Sequence, residues 1–191
     1  MTDSGRAAGP GASGPSGAPG PHHRHPGDAW LECTCGRRHW GRFGAAGLLL
    51  VRARPAGPQV LLQHRAPWSD QGGTWGVPGG ALAPDEDPVH GALREAAEEA
   101  GVDPGGVTVR STHVADHGPW AYTTAIGWAS GIQHARPTDD ESVAVAWVDL
   151  DDVPGRPLLA AFAAAWPELR RRVLADPPPP ASGDRDCPPT A

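Results

Sequence analysis

The clearest pattern in the chain is a run of apolar residues, Ala45–Arg52 (AAGLLLVR), that ends in charge and reads as a buried strand. PAGP turns the chain after it, and QVLLQHRA (59–66) follows as a second strand in a hairpin-like start. Pro67 to Gly73 is loop chemistry, leading into a short strand over Thr74–Val77. The period then changes from two to 3.6. Asp87 is a good N-cap, Pro88 suits the first helical position, and Gly101 is placed to end the helix. Val89, Leu93, Ala96 and Ala100 form its apolar stripe, with Glu95, Glu98 and Glu99 expected on the opposite face. VDPGG makes a turn. Strands are expected over Val107–Ala115, over WAYTTAIGWAS (120–130), rich in aromatic and β-branched residues, and over SVAVAWVDL (142–150). The segment from Pro157 to Leu174 reads as a terminal helix broken or restarted at Pro167, with Leu158, Leu159, Phe162, Trp166 and Leu169 buried. Strands, a helix, strands and a helix give an α/β fold, an α/β/α sandwich around a mixed sheet.

Composition sets the limits of that domain. The chain has 191 residues, enough for one domain with tails. Residues 1–28 are Gly, Pro, Ser and Ala with little to bury, and 176–191 contain PPPP, so both ends are expected to be disordered. A Cys/His/Trp arm (29–42) and a globular domain (43–175) lie between. The net charge of −6 gives no basic surface for a nucleic-acid partner. Every one of the sixteen basic residues is arginine. With so much Ala, Gly and Pro, that reflects coding bias. No apolar run reaches 18 residues and no hydrophobic signal core opens the chain, so a cytoplasmic protein without membrane association is expected. Its oligomeric state, monomer or homodimer, stays open.

The chemistry lies between Trp75 and Val102. Like charges at the i, i+3 and i+4 spacing of Glu95, Glu98 and Glu99 repel, by a few tenths of a kcal/mol per pair. A hard cation, Mg²⁺ or Mn²⁺, among the carboxylates makes the arrangement favourable. The competing reading is a solvated face rich in helix formers.

Gly80, Glu86, Arg94-Glu95-Ala96, Glu98-Glu99 and Gly101-Val102 stand at the spacing of the Nudix box, with Ala96 where the family carries a bulkier aliphatic. Over about Phe43–Leu174 the chain resembles the Nudix hydrolases, whose fold is the same α/β/α sandwich. The resemblance implies Mg²⁺-dependent cleavage of a diphosphate linkage in a small nucleotide. Glu98 and Glu99 are then metal ligands, and Glu95 a ligand or the general base. Arg94 orients Glu95, the Gly79 carbonyl completes the metal shell, and Glu86 braces the loop. A further carboxylate is expected from 139–142, with Glu141 preferred over Asp139 and Asp140.

Arg65, Trp68, Trp120 and Tyr122 are candidates for touching the nucleotide, with Trp68 alternatively capping the core edge. Position 116 is Asp where the ADP-ribose branch has proline, and Tyr122 matches the dinucleoside-polyphosphate branch only loosely. The compact WGVPGG entry looks most like the MutT-like group acting on nucleoside triphosphates, including oxidised ones. A non-catalytic nucleotide sensor is the alternative from another class.

Cys33, Cys35 and His39 are three zinc-type ligands within seven positions, and a structural zinc site needs four. His22, His23, His25 and Cys187 are candidates for the fourth. The alternative is an arm with two reduced thiols that packs Trp30 and Trp40 onto the domain.

Overall fold

The computed structural model describes residues 26–176 and residue 178. The tails and the candidate ligands His22, His23, His25 and Cys187 lie outside them. Within 29–42 the arm forms a hairpin, β1 (Trp30–Glu32) and β2 (Arg38–Trp40), paired Leu31 to His39. Trp30 and Trp40 remain 44% and 41% exposed and meet each other edge to face.

The domain is a seven-stranded mixed sheet. It comprises β3 (Ala45–Arg52), β4 (Gln59–Arg65), β5 (Trp75–Gly76), β6 (Gly79–Ala81), β7 (Val107–Asp116), β8 (Ala121–Ala129) and β9 (Ser142–Asp149). β3 and β8 run parallel, from Ala45↔Tyr122 to Val51↔Trp128, and every other pairing is antiparallel. The β3–β4 ladder covers only Val51↔Val60 and Arg52↔Gln59. Beyond it β3 turns to β6 for a partner, while β4 pairs with β5 and β9. β6 is a strand that the sequence pattern does not show, because Gly79-Gly80-Ala81 has no alternation to read.

Helix α1 (Pro88–Ala100) and helix α2 (Ala160–Ala175) cover opposite faces. Because β3 is buried on both sides, its residues divide by parity. Ala46, Leu48 and Leu50 meet α1 through Ala92, Ala96 and Ala100. Leu49 and Val51 join Val60, Leu62, Ile126, Trp128 and Val148 under Phe162, Trp166, Leu169 and Val173 of α2.

Two expectations need correction. α2 is one continuous helix with Pro167 inside it, neither broken nor restarted. A proline removes one helical hydrogen bond. The buried stripe from Phe162 to Val173 runs unbroken past that defect and holds both halves in line. On α1 the glutamates do not oppose the apolar stripe. The buried face centres on Ala92, Ala96 and Ala100, and at about 100° per residue Glu99 borders it, with Glu95 next and Glu98 outermost. Val89 and Leu93 flank the same face half-buried.

Candidate active site

Helix α1 is anchored at both ends. The Asp87 carboxylate accepts from the amides of Val89 and His90. Gly101 adopts the left-handed conformation, φ 62°, and the amides of Gly101 and Val102 bond back to Ala97 and Ala96. The orphan carbonyls of the last turn are met by the segment before β9. Arg136 and Thr138 donate their amides to Ala100 and Glu99, and the Thr138 hydroxyl donates to the Glu98 carbonyl. This docking lays the acidic loop 139–142 beside Glu99, where the charges of Asp139 and Glu141 act on it.

The glutamates then take three different environments. The Glu99 side chain is buried and accepts from the Gly79 amide at 2.8 Å. Glu95 is 14% exposed, and Glu98 is 58% exposed and turned toward solvent. Burial pushes the Glu95 carboxyl up to about 7 against the opposing pull of Arg94. Glu99 is raised as well, first by burial and then by the Glu95 charge, with the Gly79 amide opposing.

Arg94 gives away all its N–H groups. Nε and Nη2 form a fork on Glu86 at 2.8 and 2.9 Å, Nη2 also reaches the Ala81 carbonyl, and Nη1 donates to Glu95 at 2.8 Å and Glu98 at 3.2 Å. Glu86 in turn accepts from the Ala83 amide. The loop entering the helix is thereby tied to the glutamates. β6 passes close by. A Cβ on Gly80 would lie 2.6 Å from the Glu95 carboxyl group, and one on Gly79 would lie 2.9 Å from the Tyr122 hydroxyl. Glycine is required here by approach, not by φ.

The remaining candidates divide. The Tyr122 phenol is turned inward beside Gly79, and burial followed by the Glu99 charge raises its pKa. Arg65 stands on β4 with Nε donating to the Asp70 carbonyl. Trp68 is 70% exposed on its loop, which overturns the reading that it caps the core edge. Trp120 is buried and stacked on His39 with ring centroids 4.1 Å apart, its Nε1 donating to the Trp40 carbonyl. It props the N-terminal hairpin.

Sequence reasoning missed Gln63. Its side chain is fully buried, and Nε2 donates to the Ser142 hydroxyl at 2.6 Å, which lies 3.5 Å from the Glu99 carbonyl. The signal was present: Gln63 follows Leu61 by two on the inward face of β4, so a polar group there had to find a buried partner.

A family model for the NUDIX domain matches residues 41–170. The chain belongs to the Nudix hydrolase family. It is 48% identical over 153 residues to the "Nucleoside triphosphate pyrophosphatase/Nudix hydrolase fusion protein" of Bifidobacterium longum, covering 78% of this chain and 32% of that one. It is 46% identical over 154 residues to a Mycobacterium tuberculosis protein named "Putative 8-oxo-dGTP diphosphatase 3", covering 77% and 70%. The chain thus spans about a third of the first relative's length. The crystal structure of the Nudix hydrolase RenU from M. smegmatis superposes with a TM-score of 0.73 at 46% identity, covering 79% of this chain and 98% of that one. As a Nudix protein, the chain has its box helix on one face of the mixed sheet and α2 on the other. Among the described residues no helix is long and apolar enough to cross a membrane.

Proposed function

We propose that this Nudix protein hydrolyses the diphosphate linkage of a nucleoside triphosphate, the oxidised deoxynucleotides included, with Mg²⁺ or Mn²⁺ as cofactor. The observation that carries the proposal is the flank of α1, where Glu99 is buried, Glu95 lies half-buried beside it against glycine backbone, and Glu98 stands at the solvent edge. Two carboxylates forced together in a half-dry site fit a hard divalent cation, because its charge offsets both their desolvation and their repulsion. Glu95, Glu98 and Glu99 would hold it, with the Gly79 carbonyl and Glu141 as further oxygen donors. When bound, such a cation neutralises the diphosphate and makes water a better nucleophile.

The chain's own groups do the rest. Arg94 fixes Glu95 through Oε1, which holds it either as a ligand of the cation or as the group that takes a proton from the attacking water. Burial raises its carboxyl to about 7, and a cation beside it would favour the ionised form that can accept a proton. Glu86 keeps Arg94 in its fork, and Gly80 lets the Glu95 carboxyl group lie against the loop. Arg65, Trp68 and Tyr122 stand as candidates for the nucleotide, Trp68 as an exposed stacking surface. The relative named for 8-oxo-dGTP supports a triphosphate over an ADP-ribose or dinucleoside-polyphosphate substrate. With Arg94, Glu95, Glu98 and Glu99 all present, catalysis is favoured over a sensor.

The test is a phosphate-release screen with Mg²⁺ over dNTPs, 8-oxo-dGTP, ADP-ribose, NADH and dinucleoside polyphosphates. Hydrolysis of a triphosphate is expected, falling at least about 100-fold in Glu98→Gln or Glu99→Gln. Tight binding without turnover across the panel would instead identify a sensor.

A further inference from the structure

The Nudix chemistry leaves one cluster of ligating side chains unused. β1 and β2 are joined by a tight turn in which the Cys33 amide donates to the Arg37 carbonyl and the Gly36 amide to the Cys33 carbonyl. Gly36, at φ 79°, lets the chain reverse between the two cysteines and the histidine. The turn collects the thiols of Cys33 and Cys35 and the imidazole of His39 so that their ligand atoms all lie within 4.8 Å of one another. Cys35 Sγ is 3.2 Å from His39 Nε2.

Zn–S bonds of about 2.3 Å and Zn–N bonds of about 2.0 Å in a tetrahedron put neighbouring ligand atoms roughly 3.5–3.8 Å apart. The observed cluster needs only small side-chain adjustments to reach that geometry. The His39 ring is already fixed, stacked on Trp120 at 4.1 Å with 8° between the planes.

A further imidazole lies beside His39, outside the group gathered within 4.8 Å, and would join it by a turn of its side chain. His117, at the turn between β7 and β8, has its ring centroid 4.6 Å from that of His39, and its carbonyl accepts from the Cys33 thiol at 3.4 Å. The candidates offered by the sequence were all in the tails. The fold brings forward one from 78 residues along the chain, counted from His39 to His117.

We propose that Cys33, Cys35 and His39 bind a structural Zn²⁺ ion, with the His117 imidazole as fourth ligand, and that the ion staples the N-terminal hairpin to the β7–β8 turn. Binding releases the two thiol protons to solvent and leaves two thiolates on the metal. The hairpin has reason to need it. Two strands of three residues with exposed tryptophans bury little, and an isolated two-stranded hairpin is marginal in water. A closed thiolate–imidazole site is chemically distinct from the carboxylate flank of α1, which is an all-oxygen site suited to harder cations.

The experiment uses the full chain, purified without a histidine tag and dialysed against metal-free buffer. Elemental analysis is expected to return one zinc per chain. Cys35→Ser, at an exposed position that leaves the core intact, loses the metal. Glu99→Gln and the triple change His22→Ala, His23→Ala, His25→Ala both keep it. Refilled with Co²⁺, the protein shows a thiolate-to-cobalt charge-transfer band with tetrahedral d–d absorption, and His117→Ala alters the d–d envelope while the thiolate band persists. Absence of zinc, zinc retained by Cys35→Ser, or a Cys33–Cys35 disulfide in the intact mass overturns the site. An unchanged cobalt spectrum in His117→Ala overturns His117 as fourth ligand.

Discussion

Glu95 shows how much one residue's meaning depends on its neighbours. Its carboxyl group, raised by burial to about 7, keeps its proton in the folded protein over a range where the unfolded chain has lost it. Stabilisation from that proton is complete below the usual carboxylate pKa and disappears as pH rises through about 7. With divalent cations chelated, the thermal transition is therefore expected to fall between pH 5 and pH 8, and Glu95→Gln to flatten the fall. A transition that rises over that range in the unaltered protein would contradict the assignment. Because a cation needs the ionised form, its affinity should strengthen over the same interval. Gly80 makes the companion case. Alanine there has no backbone penalty, yet its methyl group would meet the Glu95 carboxyl group at 2.6 Å. Gly80→Ala should lower kcat about tenfold or more with little change in melting temperature. Gly131→Ala, whose methyl group meets nothing within 4 Å, serves as the neutral control.

Among the elements, α1 was readable because its caps are chemical: Asp87, Pro88 and Gly101 have few alternative uses in that order. The orientation of its glutamates was harder to read. The stripe was traced through Val89, Leu93, Ala96 and Ala100, whereas close packing on the sheet centres the buried face on the small residues, adding Ala92 and leaving Val89 and Leu93 half-buried. That shift of the buried face turns Glu99 from a surface charge into a buried one. β6 escaped notice because a Gly-Gly-Ala strand is defined by its partner, β3, and not by its own side chains. The helix capping by residues 136–138 was invisible for a related reason. Their amides cap carbonyls of a helix some 40 residues earlier, bonds between backbone groups that no side chain announces. In α2, Pro167 breaks the local rule and the helix persists. Pro167→Ala restores a donor for the Ala163 carbonyl, and is expected to raise stability by about 1 kcal/mol, read from denaturant midpoints at constant m-value.

For the molecule as a whole, the sandwich followed from the order of the elements, since a strand buried on both faces demands a layer on each. Which strands are neighbours did not follow, and the parallel β3–β8 pair depends on a long crossover that only the three-dimensional fold reveals. The double burial of β3 makes the two cores separable by experiment. Leu48→Ala and Leu49→Ala each remove a fully buried side chain and should cost about 2–5 kcal/mol. Only Leu48 faces the α1 layer. Its loss should also weaken Mg²⁺ affinity at temperatures where the protein is still folded, while Leu49→Ala leaves that affinity unchanged. Isothermal titration on both variants makes the comparison.

A guanidinium has five hydrogens to give, and Arg94 gives them to Glu86, Glu95, Glu98 and the Ala81 carbonyl. None is left over for a phosphate. The most conspicuous cation beside the glutamates is therefore occupied inside the protein, and under the proposed function the countercharge for a polyanionic substrate would come from the bound cation and from Arg65. Arg94→Lys is informative here, because lysine keeps the charge and replaces a planar fork with three donors on a flexible stem. The variant is expected to bind the nucleotide–Mg²⁺ complex with a nearly unchanged KM while kcat falls by about tenfold or more. A KM that rises with kcat held constant would show that Arg94 does reach the substrate.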